Sequence, residues 1–291
     1  MPVPDPRVAA LAELERSRKL VYAQVRFVDV PGALSAQGLA QLREADALAV
    51  VLRAFGPDPD PGRDLVAVRE ELILADLATV ESALDNARRR SKGGRSPGPE
   101  VAALEQAHGA LSEETLLRDA SLDPAHQRQL LSLAPLSLKP WIAVLNLEEG
   151  AQPEGSVPLD AVPVWARLEA ETAGMPEEEA RALLKEFGVD EPGLDRVIAA
   201  CYRALDLLTF LTTGDDETRA WEVARGATAQ EAAGVIHTDL ARGFIRAEVM
   251  SSDDLLEASS WNEAKARGHL RVEGRDYQVQ EGDVVHVRFN V

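Results

Sequence analysis

The sequence predicts an α/β protein in two parts, an incomplete parallel-sheet domain interrupted by a long helical hairpin, then a C-terminal β-grasp domain. Three observations carry this. Unbroken apolar runs at 47–52 and 141–145 alternate with helical patterns, as strands buried in a parallel sheet do. Between them, Leu65, Val68, Leu72, Ile73, Leu77, Val80 and Leu84 keep three-four spacing up to Arg88-Arg89-Arg90, the mark of one long amphipathic helix. Beyond Leu208, alternating runs, a capped helix and a turn around Gly274 follow each other as strands crossed by one main helix.

Taken in order, Asp5 precedes a helix over 6–18 whose apolar face holds Val8, Leu11 and Leu14, and its carboxylate suits an N-cap. A strand over 20–28 follows, with Val21, Ala23, Val25 and Phe27 on one face, and it ends in Asp29-Val30-Pro31-Gly32. A short helix near 39–44 leads to the strand at 47–52. The helical hairpin spans about 63–134, and SKGGRSPGP at 91–99 marks its tip. Sheet character returns at 141–145 and 161–166, and helices at 176–187 and 192–208 complete a first domain over 1–207. The second domain, 208–291, has strands at 219–223, 244–250 and 284–291, a hairpin of 270–273 with 277–279, and a helix over 252–266. Its Thr228, with Glu231 three residues on, forms a capping box.

Composition narrows the function. Hydrophobic residues at 45% can build cores, and charged residues at 27% suit an ordinary soluble chain. No apolar run is long enough to span a bilayer, and the N-terminus lacks the apolar core of a secretion signal. The single cysteine, Cys201, lies among Val197, Ile198 and Leu205 and reads as a buried thiol in a reducing cytoplasm. The net charge of −18 repels phosphate backbones. From Leu208 onward nine Arg/Lys face fifteen Asp/Glu, which argues against free DNA as a partner.

The motifs then point to a family. RAWEVARGATAQEAAGVIHTDLARGFIRAEV (219–248) and GHLRVEGRDYQVQEGDVVHVRFNV (268–291) resemble the C-terminal TGS-type, ubiquitin-like domain of the YchF/Obg-like ATPases. Upstream, FVDVPG (27–32) is similar to that family's third nucleotide motif. KPWIAVLNLEE (139–149) is similar to its base-reading Asn-x-x-Glu motif, and VPVWARLEAE (162–171) to its fifth motif. The resemblance implies a P-loop NTPase-type sheet of the TRAFAC class with a coiled-coil insertion. It implies ATP or GTP with magnesium as ligands of the intact family, and a ribosome-associated role.

On that resemblance Asp29 and Gly32 take the magnesium-shell and γ-phosphate positions, and Asn146 and Glu149 read the purine edge. Trp165 stands where the family has a small residue beside the base, and an indole there fills the pocket or stacks on a base. The phosphate cradle is missing, because the sequence contains no G-x-x-x-x-G-K-[ST], the backbone-and-lysine nest that holds the β- and γ-phosphates. The chain as given is therefore expected to bind no cofactor of its own, to hold no metal at Asp29 unless the cradle is restored, and to have no catalytic residue. Two readings stand side by side. The protein is a P-loop-less family member that works through ribosome association, or its gene begins upstream of Met1 and the intact product hydrolyses ATP or GTP. His108, His237 and His286 have no partners at metal-ligand spacing and read as structural or surface residues.

Overall fold

The computed structural model describes residues 1–91, 98–152 and 160–290. The chain divides into two compact units, one formed by Met1–Phe27 with Leu205–Val291 and the other by Val28–Ala204.

Helix α1 (Pro6–Glu15) begins as its sequence dictates: Asp5 accepts the Arg7 N–H at 3.0 Å, and Pro6 occupies the first turn. Strand β1 is confined to Leu20–Val21. The expected strand over 20–28 does not run on to Asp29. After one antiparallel bridge between Pro2 and Gln24 the backbone leaves ladder geometry, and residues 25–30 adopt no regular structure.

The Val28–Ala204 unit is built on α2 (Ala36–Leu42), β2 (Leu48–Ala54), α3 (Pro61–Ser91), α4 (Pro99–Ser112), α5 (Pro124–Leu130), β3 (Trp141–Leu147), β4 (Val162–Val164), α6 (Ala166–Thr172), α7 (Glu177–Glu186) and α8 (Gly193–Ala204). β2, β3 and β4 form a three-stranded sheet in that order, and both pairings are parallel. At 31 residues, α3 is about 46 Å long. Arg88 pairs with Glu105 and Arg90 with Glu100, so residues nearer the tip meet residues nearer the tip and the two helices run antiparallel. Val80, Leu84, Ala87, Leu104, Ala107 and Leu111 form the buried seam between them. The tip sequence falls largely outside the described residues.

At the base of the hairpin, Asp76 of α3 is fully buried yet fully satisfied. Its carboxylate accepts the Leu136 and Ser137 backbone N–H groups, the Ser137 hydroxyl and an Arg43 guanidinium N–H, all between 2.7 and 3.0 Å. A buried charge is tolerated only with such a full shell. β2 corrects the expectation of burial on both faces. Leu48, Val50 and Leu52 are buried, but Ala49, Val51 and Arg53 are exposed, Val51 at 65%. The apolar run arises because Ala and Val occupy the open face as well.

In the other unit, β5 (Leu207–Thr212), β6 (Thr218–Ala224), α9 (Ala229–Ile236), α10 (Thr238–Arg242), β7 (Phe244–Ser251), α11 (Ser252–Ala258), α12 (Trp261–Ala266), β8 (Arg271–Glu273) and β9 (Asp283–Phe289) follow. The six-stranded sheet has the order β1-β6-β5-β9-β7-β8. α9 opens with the expected capping box of Thr228 and Glu231, and its Ala229, Ala232 and Ala233 pack with Phe210, Val249 and Val285 in a buried cluster.

The boundary expected at residue 207 is corrected at the N-terminal side. Val8 and Leu11 are fully buried, β1 adds to β6 in parallel, and Arg7 bridges Asp5 and Glu281. Residues 1–27 therefore belong to the C-terminal unit. β5 is a second difference, since the helix expected over 192–208 ends at Ala204 and residues Leu207–Thr212 form a strand the sequence did not assign. The 277–279 segment forms a single bridge from Gln278 to Thr228 rather than a strand.

Candidate functional site

In an open parallel sheet, ligands are received at the carboxyl ends of the strands. Here that end is formed by Ala54, Leu147 and Val164, with Asn146 paired in register to Arg53 and Val164. β3 places Asn146 in its last turn of pleat, and Glu149 lies two residues beyond the strand, before Gly150, whose φ of +74° suits glycine.

The structure brings Asn146 and Glu149 together on the first turn of α6. Asn146 Oδ1 accepts the Ala166 N–H at 3.3 Å. Glu149 Oε1 lies 3.3 Å from Arg167 Nε, and Arg167 also reaches Glu171. Trp165, the residue immediately before α6, is only 6% exposed. Its indole packs among Leu145, Leu147, Leu168, Leu184 and Val189, its Nε1–H donates to the Ala151 carbonyl at 3.2 Å, and the Arg196 guanidinium lies 5.4 Å above the ring.

Three residues of this site escaped the sequence reading: Glu169, Gly193 and Arg196. The Glu169 carboxylate accepts the Trp165 N–H at 3.2 Å through Oε1, and the Gly193 and Leu194 N–H groups at 2.8 and 3.3 Å through Oε2. It thereby satisfies the start of α8, where a helix dipole and free N–H groups favour negative charge. The only sequence signal for Glu169 is its i+4 spacing from Trp165.

Asp29 and Gly32 are placed differently. Both are exposed and lie outside any strand. Gly32 has φ +61° and sits in the tight turn leading to α2, where its carbonyl accepts the Ser35 N–H at 2.8 Å. Among the described residues, no hydrogen bond or ion pair joins either of them to Asn146 or Glu149. Asp29 therefore does not stand at a strand end as expected, because the strand meant to carry it stops at Val21.

The indole lies in the core with Leu145 and Leu147, on the sheet face opposite Asn146, whose register partner Arg53 is exposed. The Asn146 Oδ1 and the Glu149 carboxylate contact α6, and Glu169 holds the α8 N-terminus.

Elsewhere, His237 and His286 make local structural contacts, and His108 lies near Glu81 at the surface of the hairpin. His237 Nδ1 accepts the Asp239 N–H at the start of α10. His286 lies edge-on to Trp261, and burial, with Arg288 nearby, holds its imidazole below the usual pKa. Among the described residues no group of three His, Cys, Asp or Glu is arranged to hold a metal. Cys201 is buried, and burial raises its thiol pKa. Among the described residues no helix is long and apolar enough to cross a membrane.

The arrangement defines a mixed α/β protein whose parallel sheet carries a long helical hairpin, joined in one chain to a mixed six-stranded sheet. Comparison with known proteins is consistent throughout. A family model described as YchF-GTPase_C, protein of unknown function (DUF933), matches residues 207–290. Proteins named ribosome-binding ATPase YchF are 40% identical in Haemophilus ducreyi, over the whole of this chain and 88% of that one, and 36% identical in Bacillus subtilis, over 99% and 88%. The solved structure of the Schizosaccharomyces pombe YchF GTPase superposes with a TM-score of 0.85 at 27% identity, covering 99% of this chain and 86% of that one. The chain belongs to the YchF family.

Proposed function

We propose that this protein is a ribosome-associated member of the YchF family and that the 291 residues given do not by themselves hydrolyse ATP or GTP. One observation carries the second half of that reading: the 291 residues contain no G-x-x-x-x-G-K-[ST]. Phosphoryl transfer depends on positioning and on neutralising charge at the β- and γ-phosphates, and no other segment of this sequence supplies the cradle. The placement of Asp29 and Gly32 outside the sheet supports the same reading, since neither meets the other nucleotide-motif residues.

Ribosome association is carried over from the relatives, whose names state it. The β-sheet unit, read as a TGS-type β-grasp domain, and the far end of the hairpin are its contact surfaces. The last turn of α3 holds Arg88, Arg89 and Arg90; Arg88 and Arg90 pair with Glu105 and Glu100, so in a chain of charge −18 contact with a phosphate surface requires these exposed pairs to exchange partners. The protein works in the cytoplasm, where its partner is.

Two measurements test this. In sucrose gradients the full chain is expected to sediment with ribosomes at low salt and to dissociate as salt rises. Recovery only at the top of the gradient at every salt concentration overturns the association. Purified protein is expected to release no phosphate from ATP or GTP, with or without ribosomes. Magnesium-dependent turnover that disappears in Asp29→Ala overturns the absence of hydrolysis.

A further inference from the structure

We infer that the open face of the six-stranded sheet, around Arg246 and Arg288, is a docking surface for an acidic protein segment that carries aliphatic side chains. This rests on the reading of the β-sheet unit as a contact surface and gives that surface a chemistry.

Strand β7 shows how the surface is made. Phe244, Ala247 and Val249 pack with the alanines of α9, so the residues between them face the other side of the sheet. A regular strand has one residue between two that share a face. Here the register with β9 shifts between Phe244 and Arg246, and two residues stand between the buried Phe244 and Ala247. Bulges of this kind re-aim side chains. This one adds a side chain to the open face, where Ile245 is 58% exposed and Arg246 is exposed beside it.

The shift also sets Arg246 directly opposite Arg288. Like charges so placed repel each other across a sheet. Glu248, on the same face, accepts from Arg288 Nη2 at 2.9 Å, and it stands opposite His286 on one side and Val272 on the other. The Arg288 hydrogen bond, with His286 and Arg246 close by, holds the Glu248 carboxyl below its usual pKa. One carboxylate thus faces two guanidinium groups. Among the described residues the Arg246 side chain makes no hydrogen bond or ion pair, since Glu248 is held by Arg288. An anion from outside the chain would relieve the opposed pair.

The apolar neighbours choose between a phosphate and a carboxylate partner. Ile245 lies before the arginine pair along β7, and Val272 of β8, 62% exposed, lies one row beyond it. Exposed aliphatic side chains beside arginine are the composition of a protein contact. A nucleic-acid strand gains instead from stacking on open ring faces, and the aromatic rings here, Trp261 and His286, are turned edge to face on one another at 6.4 Å. The unit is acidic as a whole, with nine Arg/Lys against fifteen Asp/Glu from Leu208 onward. Physiological salt screens exposed charges beyond about 8 Å, so the local pair governs the contact.

The test is fluorescence anisotropy on the full chain at low salt, with a labelled peptide of three Asp-Asp-Leu repeats. Saturable binding is expected, weaker with Asp-Asp-Ser repeats and absent with Lys-Lys-Leu repeats. Arg246→Glu and Ile245→Asp are each expected to weaken it about tenfold. Because Arg246→Glu turns the opposed arginines into an ion pair, its thermal midpoint is expected to be no lower than that of the wild type, which separates lost binding from lost folding. Should Arg246→Glu fail to fold, Arg246→Ser is expected to show the same loss of binding.

Absence of saturable binding overturns the inference, as does binding that neither variant weakens. So does tighter binding of an oligouridylate of equal length that Arg246→Glu abolishes, which makes the face a nucleic-acid surface. A concentration-dependent dimer broken by Ile245→Asp also overturns it, because the occupant is then a second copy of this chain. The peptide assay contains no ribosomes. Peptide binding without sedimentation fails the proposed association alone, and sedimentation without peptide binding fails this inference alone.

Discussion

The Glu169 carboxylate lies against the backbone of Gly193, with Oε2 accepting the Gly193 N–H at 2.8 Å. The approach is close enough to exclude a side chain. A Cβ built on Gly193 meets Val164 Cγ1 at 2.4 Å and Glu169 Oε1 at 2.5 Å. Strand β4, helix α6 and helix α8 are thus locked at one point, and the lock needs glycine for its lack of Cβ rather than for an unusual φ.

Gly193→Ala is expected to destabilise the Val28–Ala204 unit by about 2–3 kcal/mol, through strain and loss of the helix-start hydrogen bonds. Glu169→Gln keeps the shape and weakens the charge-assisted bonds, so its loss is expected to be smaller, about 1–2 kcal/mol. Urea denaturation of the two variants checks both the sign and the order. Equal stability of Gly193→Ala and wild type would contradict the close approach.

Asp76 holds the base of the hairpin, and its replacement should act on that unit alone. Asp76→Ala leaves Arg43 half-buried, keeping only its bonds to Ala134, Ala75 and Thr79, and strips the Leu136 and Ser137 N–H groups of their acceptor. Removing one partner of such a buried network costs about 3–5 kcal/mol. Thermal scans are expected to show an early transition for the hairpin-bearing unit. Hydrogen exchange should show unchanged protection in β7 and β9.

The sequence made the repeating features legible and left the single-residue fits hidden. Asn146 and Glu149 fall at the end of β3 as their motif requires, because an apolar run followed by Asn and a turn glycine is local information. The strand expected over 20–28 alternates correctly. Even so, only Leu20–Val21 joins a strand, β6, with one further bridge from Gln24 to Pro2, and strand pairing is settled by tertiary neighbours that periodicity does not name. β5 was hidden for the opposite reason. Leu205, Leu208 and Leu211 continue the spacing of α8, so the helical period runs on after the helix has ended at Ala204, where Asp206 turns the chain with φ +51°. Glu169 and Arg196 carry no motif at all, and their roles exist only once α6 and α8 are packed.

Tyr277 gives the C-terminal unit an alkaline limit. Its hydroxyl donates to the buried Asp283 at 2.8 Å, and Arg271 also binds Asp283 at 3.2 Å. Burial first, and the hydrogen bond to Asp283 second, push its pKa up to about 12 from 10.0. A raised folded pKa means the neutral phenol is favoured by folding. Its contribution is therefore complete below pH about 10 and is lost as pH rises through about 12. Tyr277→Phe is expected to cost about 1–2 kcal/mol at neutral pH and to flatten the fall in stability over that window. An unchanged alkaline profile in the variant would show that the phenol is not the titrating group.

The open edge of β2 sets where the Val28–Ala204 unit is weakest. The Leu48 N–H donates to the Pro140 carbonyl at 3.0 Å on the β3 side. Amides alternate along a strand, so those of Ala49, Val51 and Arg53 point away from β3. Among the described residues no strand lies on that side. β7 and β9, by contrast, each have a neighbour on both sides, and their Val249 and Val285 are buried. Hydrogen exchange on monomeric protein is expected to find Ala49, Val51 and Arg53 exchanging at least ~1,000-fold faster than Val249 and Val285, the difference between a local opening and a global one. The same edge, with Val51 65% exposed, is expected to be the surface of any self-association at high concentration, because an unpaired apolar strand templates another. A lysine at that position places charge on the edge. Val51→Lys is therefore expected to reduce light scattering in concentrated solution while leaving the unfolding midpoint within about 0.5 kcal/mol of the wild type. Slow exchange at Ala49 and Val51 in dilute, monomeric protein would mean that the edge is covered, and the association would then need another surface.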